Sequence, residues 1–249
     1  MIRTLGSIVS FDIRSISRDH FLLFVILTVT VIFSLLSLAG HFRHTIGADV
    51  IQQWIPYVLI LSLVANPASL GMVFGVFLIE EIETRVRAAI MTTPVSPVLF
   101  ILMRTPLLVL MLTLLGTGIV YGMGTAWGAT ELSLSEIALL ALSAALIGPG
   151  VMISISTFAA NRIEAMAIGK LYSWIVIPPM FLYLLPEDAW YRVFFLVFPT
   201  THVVCAYEAF RAGSDLAAHQ WLIWGLIYTT AFIALSIRRY LRKSYGLLG

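Results

Sequence analysis

Six stretches of this 249-residue chain are apolar over the length that a helix needs to cross a bilayer. Residues 21–40 carry no charge over twenty positions, and at about 1.5 Å per residue such a run spans about 30 Å, the thickness of a hydrocarbon core. The other runs cover 54–79, 99–122, 137–160, 166–185 and 221–237, and Glu80 marks the expected end of the second. Backbone groups find no water in lipid, so the segments that cross are helices or the strands of a closed barrel. These runs lack the short alternating pattern of barrel strands and predict helices. Composition agrees: 60% of residues are hydrophobic and 11% charged, against roughly 25% charged in soluble domains. The first run is not read as a signal peptide. It follows residues bearing both signs of charge, exceeds a signal's apolar length and precedes further runs of its kind.

The distribution of basic residues sets the expected topology. With both termini inside, Arg3, Arg14, Arg18, Arg85, Arg87, Arg104, Arg162, Lys170, Arg238, Arg239, Arg242 and Lys243 lie toward the cytoplasm. Only Arg43, Arg192 and Arg211 lie opposite. This bias favours an even number of crossings, and it accounts for the net charge of +2 without a nucleic-acid partner. Cys205 is the single cysteine, which excludes an internal disulfide framework or a cysteine cluster for zinc.

Residues 1–20 mix apolar positions with Arg, Ser and Asp, as an amphipathic elbow helix at the cytoplasmic interface would. Asn66-Pro67, Gly148-Pro149-Gly150 and Pro178-Pro179 predict interruptions in three spans. Residues 186–220 are too apolar for a plain loop, and 189–198 and 201–212 are each too short to cross. An external, re-entrant or interfacial helical hairpin is the economical assignment. A full crossing there would move the basic carboxyl end to the disfavoured side.

The connector at 79–98 carries the most information. Ile79, Ile82, Val86, Ala89 and Ile90 share one face of a helix, while Glu81 faces Arg85 and Glu83 faces Arg87 one turn apart. Pro94 and Pro97 end the element. Local ion pairs alone leave the apolar stripe unexplained, and a partner domain or the inner faces of neighbouring helices would cover it.

The stretch Phe74-Gly75-Val76-Phe77-Leu78-Ile79-Glu80-Glu81-Ile82-Glu83-Thr84-Arg85, continuing through Thr93-Pro94-Val95-Ser96-Pro97 and Phe100 toward Arg104, resembles ABC-2 type transporter permeases, in particular bacterial drug (fluoroquinolone) export permeases. The resemblance extends more weakly over nearly the whole chain. It implies one transmembrane domain over 1–249, laid out like a type V ABC exporter, in a bacterial or archaeal cytoplasmic membrane. It also implies that the connector is a coupling helix contacting a separate ATP-binding subunit through Glu80, Glu81, Glu83, Arg85 and Arg87, with Pro94 and Pro97 setting its exit. ATP and Mg belong to that ATPase, and a second permease chain, identical or related, pairs with this one.

No Gly-x-x-x-x-Gly-Lys-Ser/Thr loop is present, so this chain has no phosphate cradle of its own and no cofactor is assigned to it. Asn66, Pro67, Ser69, Arg104, Ser154, Ser156 and Thr157 are candidates for a conformational or substrate path. Arg104 is read first as an anchor, because a charge near the span's end reaches water or phosphate. Such sparse polar positions favour a hydrophobic or amphiphilic cargo over a small ion. The competing readings are a membrane adaptor that docks a cytoplasmic partner without transport, and an intramembrane enzyme. His202 and Glu208 form no recognised zinc motif, which weakens the enzyme reading.

Overall fold

A computed structural model of the chain describes residues 18, 20, 31–32, 35–36, 38–42, 53–84, 97–129, 131–186 and 189–246. Among the described residues every regular element is helical. The α-helices are α1 (Ile55–Glu83), α2 (Pro97–Trp127), α3 (Leu134–Ala145), α4 (Ile147–Phe158), α5 (Arg162–Ser173), α6 (Ile177–Met180), α7 (Thr201–Arg211) and α8 (Asp215–Gly246). Shorter 3-10 turns lie at Trp174–Val176, Phe181–Leu184 and Trp190–Val197. Five helical stretches among the described residues are long and apolar enough to cross a membrane: Ile55–Glu81, Arg104–Trp127, Leu134–Phe158, Arg162–Tyr183 and Asp215–Arg242. The chain is therefore an all-α, multi-pass membrane protein. The run at 21–40 and the elbow at 1–20 lie mostly outside the described residues, as do Arg85, Arg87 and Pro94.

The helices alternate in direction between two ends of the bundle. One end, here the acidic end, gathers Glu80, Glu81, Glu83, Arg104 and Arg162. The other, named the hairpin end for the hairpin expected over 186–220, carries Glu131, Arg192, Glu208 and Arg211. α1 is the axis. Its Ile55, Leu59, Leu63 and Ala68 enter a core at the hairpin end with Trp127, Leu140 and Val203. Its Val73, Val76 and Ile79 pack with Val151, Ile155 and Ala165, and its Leu70 and Leu78 face Leu108, Leu112 and Tyr240. A helix that is apolar all round belongs inside a bundle. Of the most apolar stretch, 72% is buried in the α3–α4 span against 17% in α8, so α8 forms the periphery. Its exposed Ile223, Trp224, Leu226, Ile227 and Leu235 form a surface suited to lipid or a second chain.

Close backbone approach joins α1 to α4. A Cβ on Gly71 would stand 2.5 Å from the Gly148 carbonyl oxygen, and one on Gly75 would stand 2.9 Å from Ile155 Cβ. Small residues serve this purpose in membranes, where tight packing replaces the hydrophobic drive between helices.

The proline-rich sites behave differently from one another. α1 is assigned as one continuous helix across Pro67, so the expected interruption is absent from its secondary structure. The Gly148-Pro149-Gly150 break falls two residues earlier, at Leu146, which closes α3 and opens α4. Pro149 then occupies the first turn of α4, where no intrahelical N–H bond is lost. Around Pro178-Pro179 the winding passes from 3-10 to α and back to 3-10. Before α8, the 3-10 segment Trp190–Val197 and α7 flank Pro199, matching the two short segments anticipated there to within a residue. α8 begins at Asp215, six residues before the apolar run at 221. Glu80 does not terminate α1, which continues to Glu83.

Candidate functional site

The acidic end of α1 directs its three carboxylates to three different environments. Glu81 turns inward, and both its oxygens accept from Arg104 of α2 at 2.7 Å. The two side chains are 4% and 3% exposed. Bidentate guanidinium–carboxylate contact combines charge with fixed geometry, and the Arg104 guanidinium also lies 5.4 Å from the centre of the Phe77 ring. The partner of Glu81 lies 23 residues on, beyond the helical spacing from which the Glu81–Arg85 pairing is read; Arg85 itself is outside the described residues. A buried carboxylate needs an enclosed, hydrogen-bonded counter-charge to offset its lost hydration. Arg104, expected to reach water or phosphate near the span's end, is instead buried against Glu81 of α1.

Glu80 and Glu83 remain at the surface and reach α5. Glu80 stands 3.6 Å from Arg162, both about one-third exposed, and Glu83 accepts from the Arg162 backbone N–H at 3.0 Å. Arg162 is the first residue of α5, where N–H groups lack intrahelical acceptors. Asn161 Oδ1 accepts from Glu164 N–H at 2.9 Å, while Glu164 accepts from Ala160 N–H at 2.8 Å. The carboxylate of one helix thus helps cap the start of another, where the helix dipole favours negative charge. Arg162 entered from the sequence only as a basic residue on the expected cytoplasmic side, and Asn161 and Glu164 were not singled out. Their signal is the Asn-x-x-Glu spacing of a helix start.

The mid-span polar residues do not converge. Asn66 is 1% exposed and donates to the Ser62 carbonyl at 2.8 Å, while its Oδ1 has no partner among the described residues. Pro67 beside it is buried, and Ser69 is half-buried. Ser154 hydrogen-bonds Ser236 of α8 at 2.9 Å. Ser156 and Thr157 both donate to the Ile153 carbonyl, so these hydroxyls are satisfied within α4. Pro97 is the first residue of α2.

At the hairpin end, Arg211 donates to Glu131 at 2.8 Å, and Arg192 stands 4.0 Å from Glu208. His202 is buried, with its ring 5.9 Å from Trp221 and 5.5 Å from Tyr228. Neither ring nitrogen has a hydrogen-bond partner among the described residues, the arrangement of a packed histidine. No group of three His, Cys, Asp or Glu side chains among the described residues could hold a metal. Cys205 packs, partly buried, against the hairpin-end core.

A bundle of this kind, with five described helices long and apolar enough to cross a membrane, is that of a polytopic membrane protein. The chain belongs to the family described as "Fluoroquinolones export permease protein Rv2686c-like", which matches residues 12–237. That match spans the whole stretch on which the ABC-2 resemblance rests and makes the chain a transport subunit rather than an enzyme. Comparison with curated proteins gives no match.

Proposed function

We propose that this chain is the permease subunit of an ATP-driven ABC exporter, moving a hydrophobic or amphiphilic substrate, drugs included, across the cytoplasmic membrane. It works with a separate ATP-binding subunit, which holds ATP and Mg, and with a second permease chain. The observation that carries this reading is the inter-helix clamp at the acidic end. α1 is tied to α2 by the buried Glu81–Arg104 pair and to α5 by Glu83 and Glu80 at the start of that helix. A load applied to the connector after Glu83 would then reach two neighbouring helices at once.

In this reading the acidic end faces the cytoplasm. The charge distribution supports it: Arg238, Arg239 and Arg242 of α8 join Arg104 and Arg162 there, whereas Arg192 and Arg211 at the hairpin end each face a glutamate. The 3-10 segment and α7 form a re-entrant external hairpin. Glu80, Glu83, Arg85 and Arg87 are assigned to ATPase contact, with Pro94 and Pro97 setting the exit of the connector. Glu81 and Arg104 hold the helices together beneath that contact. Asn66, whose buried Oδ1 has no partner among the described residues, and Pro67 stay as the mid-span conformational element.

The test is charge reversal of Glu80 and Glu83 in proteoliposomes containing the ATPase. Glu80→Lys with Glu83→Lys should lower permease-stimulated ATP hydrolysis by about tenfold, the equivalent of about 1.4 kcal/mol of coupling, with membrane insertion unchanged. Normal stimulation and normal transport in that variant would contradict the coupling assignment.

A further inference from the structure

One face of α8 is exposed over most of its length. Trp224, Ile227, Ala231, Leu235, Arg238 and Arg242 follow one another at intervals of three or four residues, the repeat that stacks side chains on one side of a helix. All six are exposed. At about 1.5 Å per residue, the rise from Trp224 to Arg242 is about 27 Å, close to the thickness of about 30 Å of a hydrocarbon core. Tryptophan favours the interface at one end of such a stripe, and arginine reaches water or phosphate at the other.

The arginines at the foot of the stripe are not neutralised by a neighbouring helix. Arg104, Arg162, Arg192 and Arg211 each have a carboxylate within 4.0 Å. No carboxylate among the described residues pairs with Arg238, Arg239 or Arg242. The Arg239 guanidinium lies 5.8 Å from the centre of the ring of Phe158, the last residue of α4, a contact with its charge rather than with a particular N–H. Phe158 is itself 53% exposed. Three guanidiniums thus stand beside the apolar surface of Leu235 and Phe158 at the acidic end of the bundle.

The combination of charge and apolar surface selects the occupant. A water-soluble acidic partner would cover the arginines and leave Leu235 and Ala231 uncovered, and a zwitterionic headgroup would bring an ammonium toward three guanidiniums. A phospholipid with a net negative headgroup meets both parts at once, and basic residues next to a span attract such lipids. We propose that the Arg238–Arg242 end of α8 holds an anionic phospholipid of the leaflet at the acidic end. Its phosphate lies on Arg238 and Arg242, Arg239 adds charge, and its acyl chains run along Leu235 and Ala231. The proposal requires the chain to sit in a membrane but does not depend on what it exports.

The full chain in detergent is mixed with phosphatidylglycerol and phosphatidylethanolamine at equal concentration, and retained lipid is counted by native mass spectrometry. Phosphatidylglycerol should be retained about fivefold over phosphatidylethanolamine, equivalent to about 1 kcal/mol. Arg238→Gln with Arg242→Gln should bring the two lipids to parity, with phosphatidylethanolamine retention and the thermal unfolding midpoint unchanged. Arg238→Lys with Arg242→Lys, which keeps the charge, should keep at least about half of the preference. A photoreactive phosphatidylglycerol should cross-link within 231–242 or at Phe158, and free glycerol phosphate should not displace it. Equal retention of the two lipids by the unaltered chain, a preference intact in the Gln pair, loss of the preference in the Lys pair, cross-links confined elsewhere, or full displacement by glycerol phosphate would each overturn the proposal. A Gln pair that keeps its lipid but loses the ATP-binding subunit would assign the arginines to a protein partner instead. The Lys pair and the cross-links decide the matter independently of how the Gln pair folds.

Discussion

Glu81 and Arg104 form a pair whose energetics are asymmetric. Removing one partner leaves a buried charge with nothing to offset its lost hydration, whereas replacing both with apolar groups removes the requirement. Glu81→Gln should therefore lower the unfolding free energy in mixed micelles by about 3 kcal/mol. The double variant Glu81→Leu with Arg104→Met should recover at least half of that loss. A neutral Glu81→Gln would show that the pair is solvated. The pairing was not legible in the sequence, because helical spacing identifies partners three or four residues away and Arg104 lies 23 positions on. Only the acidic character of the connector and the oddity of Arg104 near a span's end were visible. The same limit concealed Arg162, which looks like an ordinary basic loop residue until Glu83 is found on its backbone N–H.

At the scale of the elements, the α1–α4 contact depends on the absence of side chains at Gly71 and Gly148. A methyl group on Gly71 meets backbone rather than a movable side chain, so Gly71→Ala should cost about 1–3 kcal/mol. Gly118 provides the comparison: a Cβ there meets nothing within 4 Å, and Gly118→Ala should leave stability unchanged or raise it by up to about 1 kcal/mol. Thermal unfolding of the two variants checks both, and equal behaviour would refute the close approach. Helix existence was readable from apolar runs, and the two short segments around Pro199 were placed nearly to the residue. The breaks were less readable. Proline marks where a helix loses a donor, yet α1 continues through Pro67 while α3 ends before Pro149. Packing around each proline decides between those outcomes, and local sequence carries little of that information.

For the whole molecule, orientation is the first matter to test. In a Cys205→Ser background, Trp190→Cys should react with a membrane-impermeant maleimide from outside intact cells. Glu83→Cys should react only after the membrane is opened; the reverse pattern would invert the assigned topology. The multi-pass membrane class was accessible from sequence because span lengths record the bilayer directly, and the permease family through the resemblance carried by residues 74–104. Cargo was not: Ser154, Ser156 and Thr157, read as candidates for a conformational or substrate path, bond within α4 or to α8. The most direct measurement is reconstitution of the chain with its ATP-binding subunit in sealed proteoliposomes, following accumulation of a fluorescent amphiphile with and without ATP. The proposed function predicts accumulation that requires ATP, the ATPase and the permease together, and no nucleotide hydrolysis by the permease alone. Hydrolysis by the rigorously purified chain, or docking of the ATPase with no movement across a broad panel of cargoes, would contradict it.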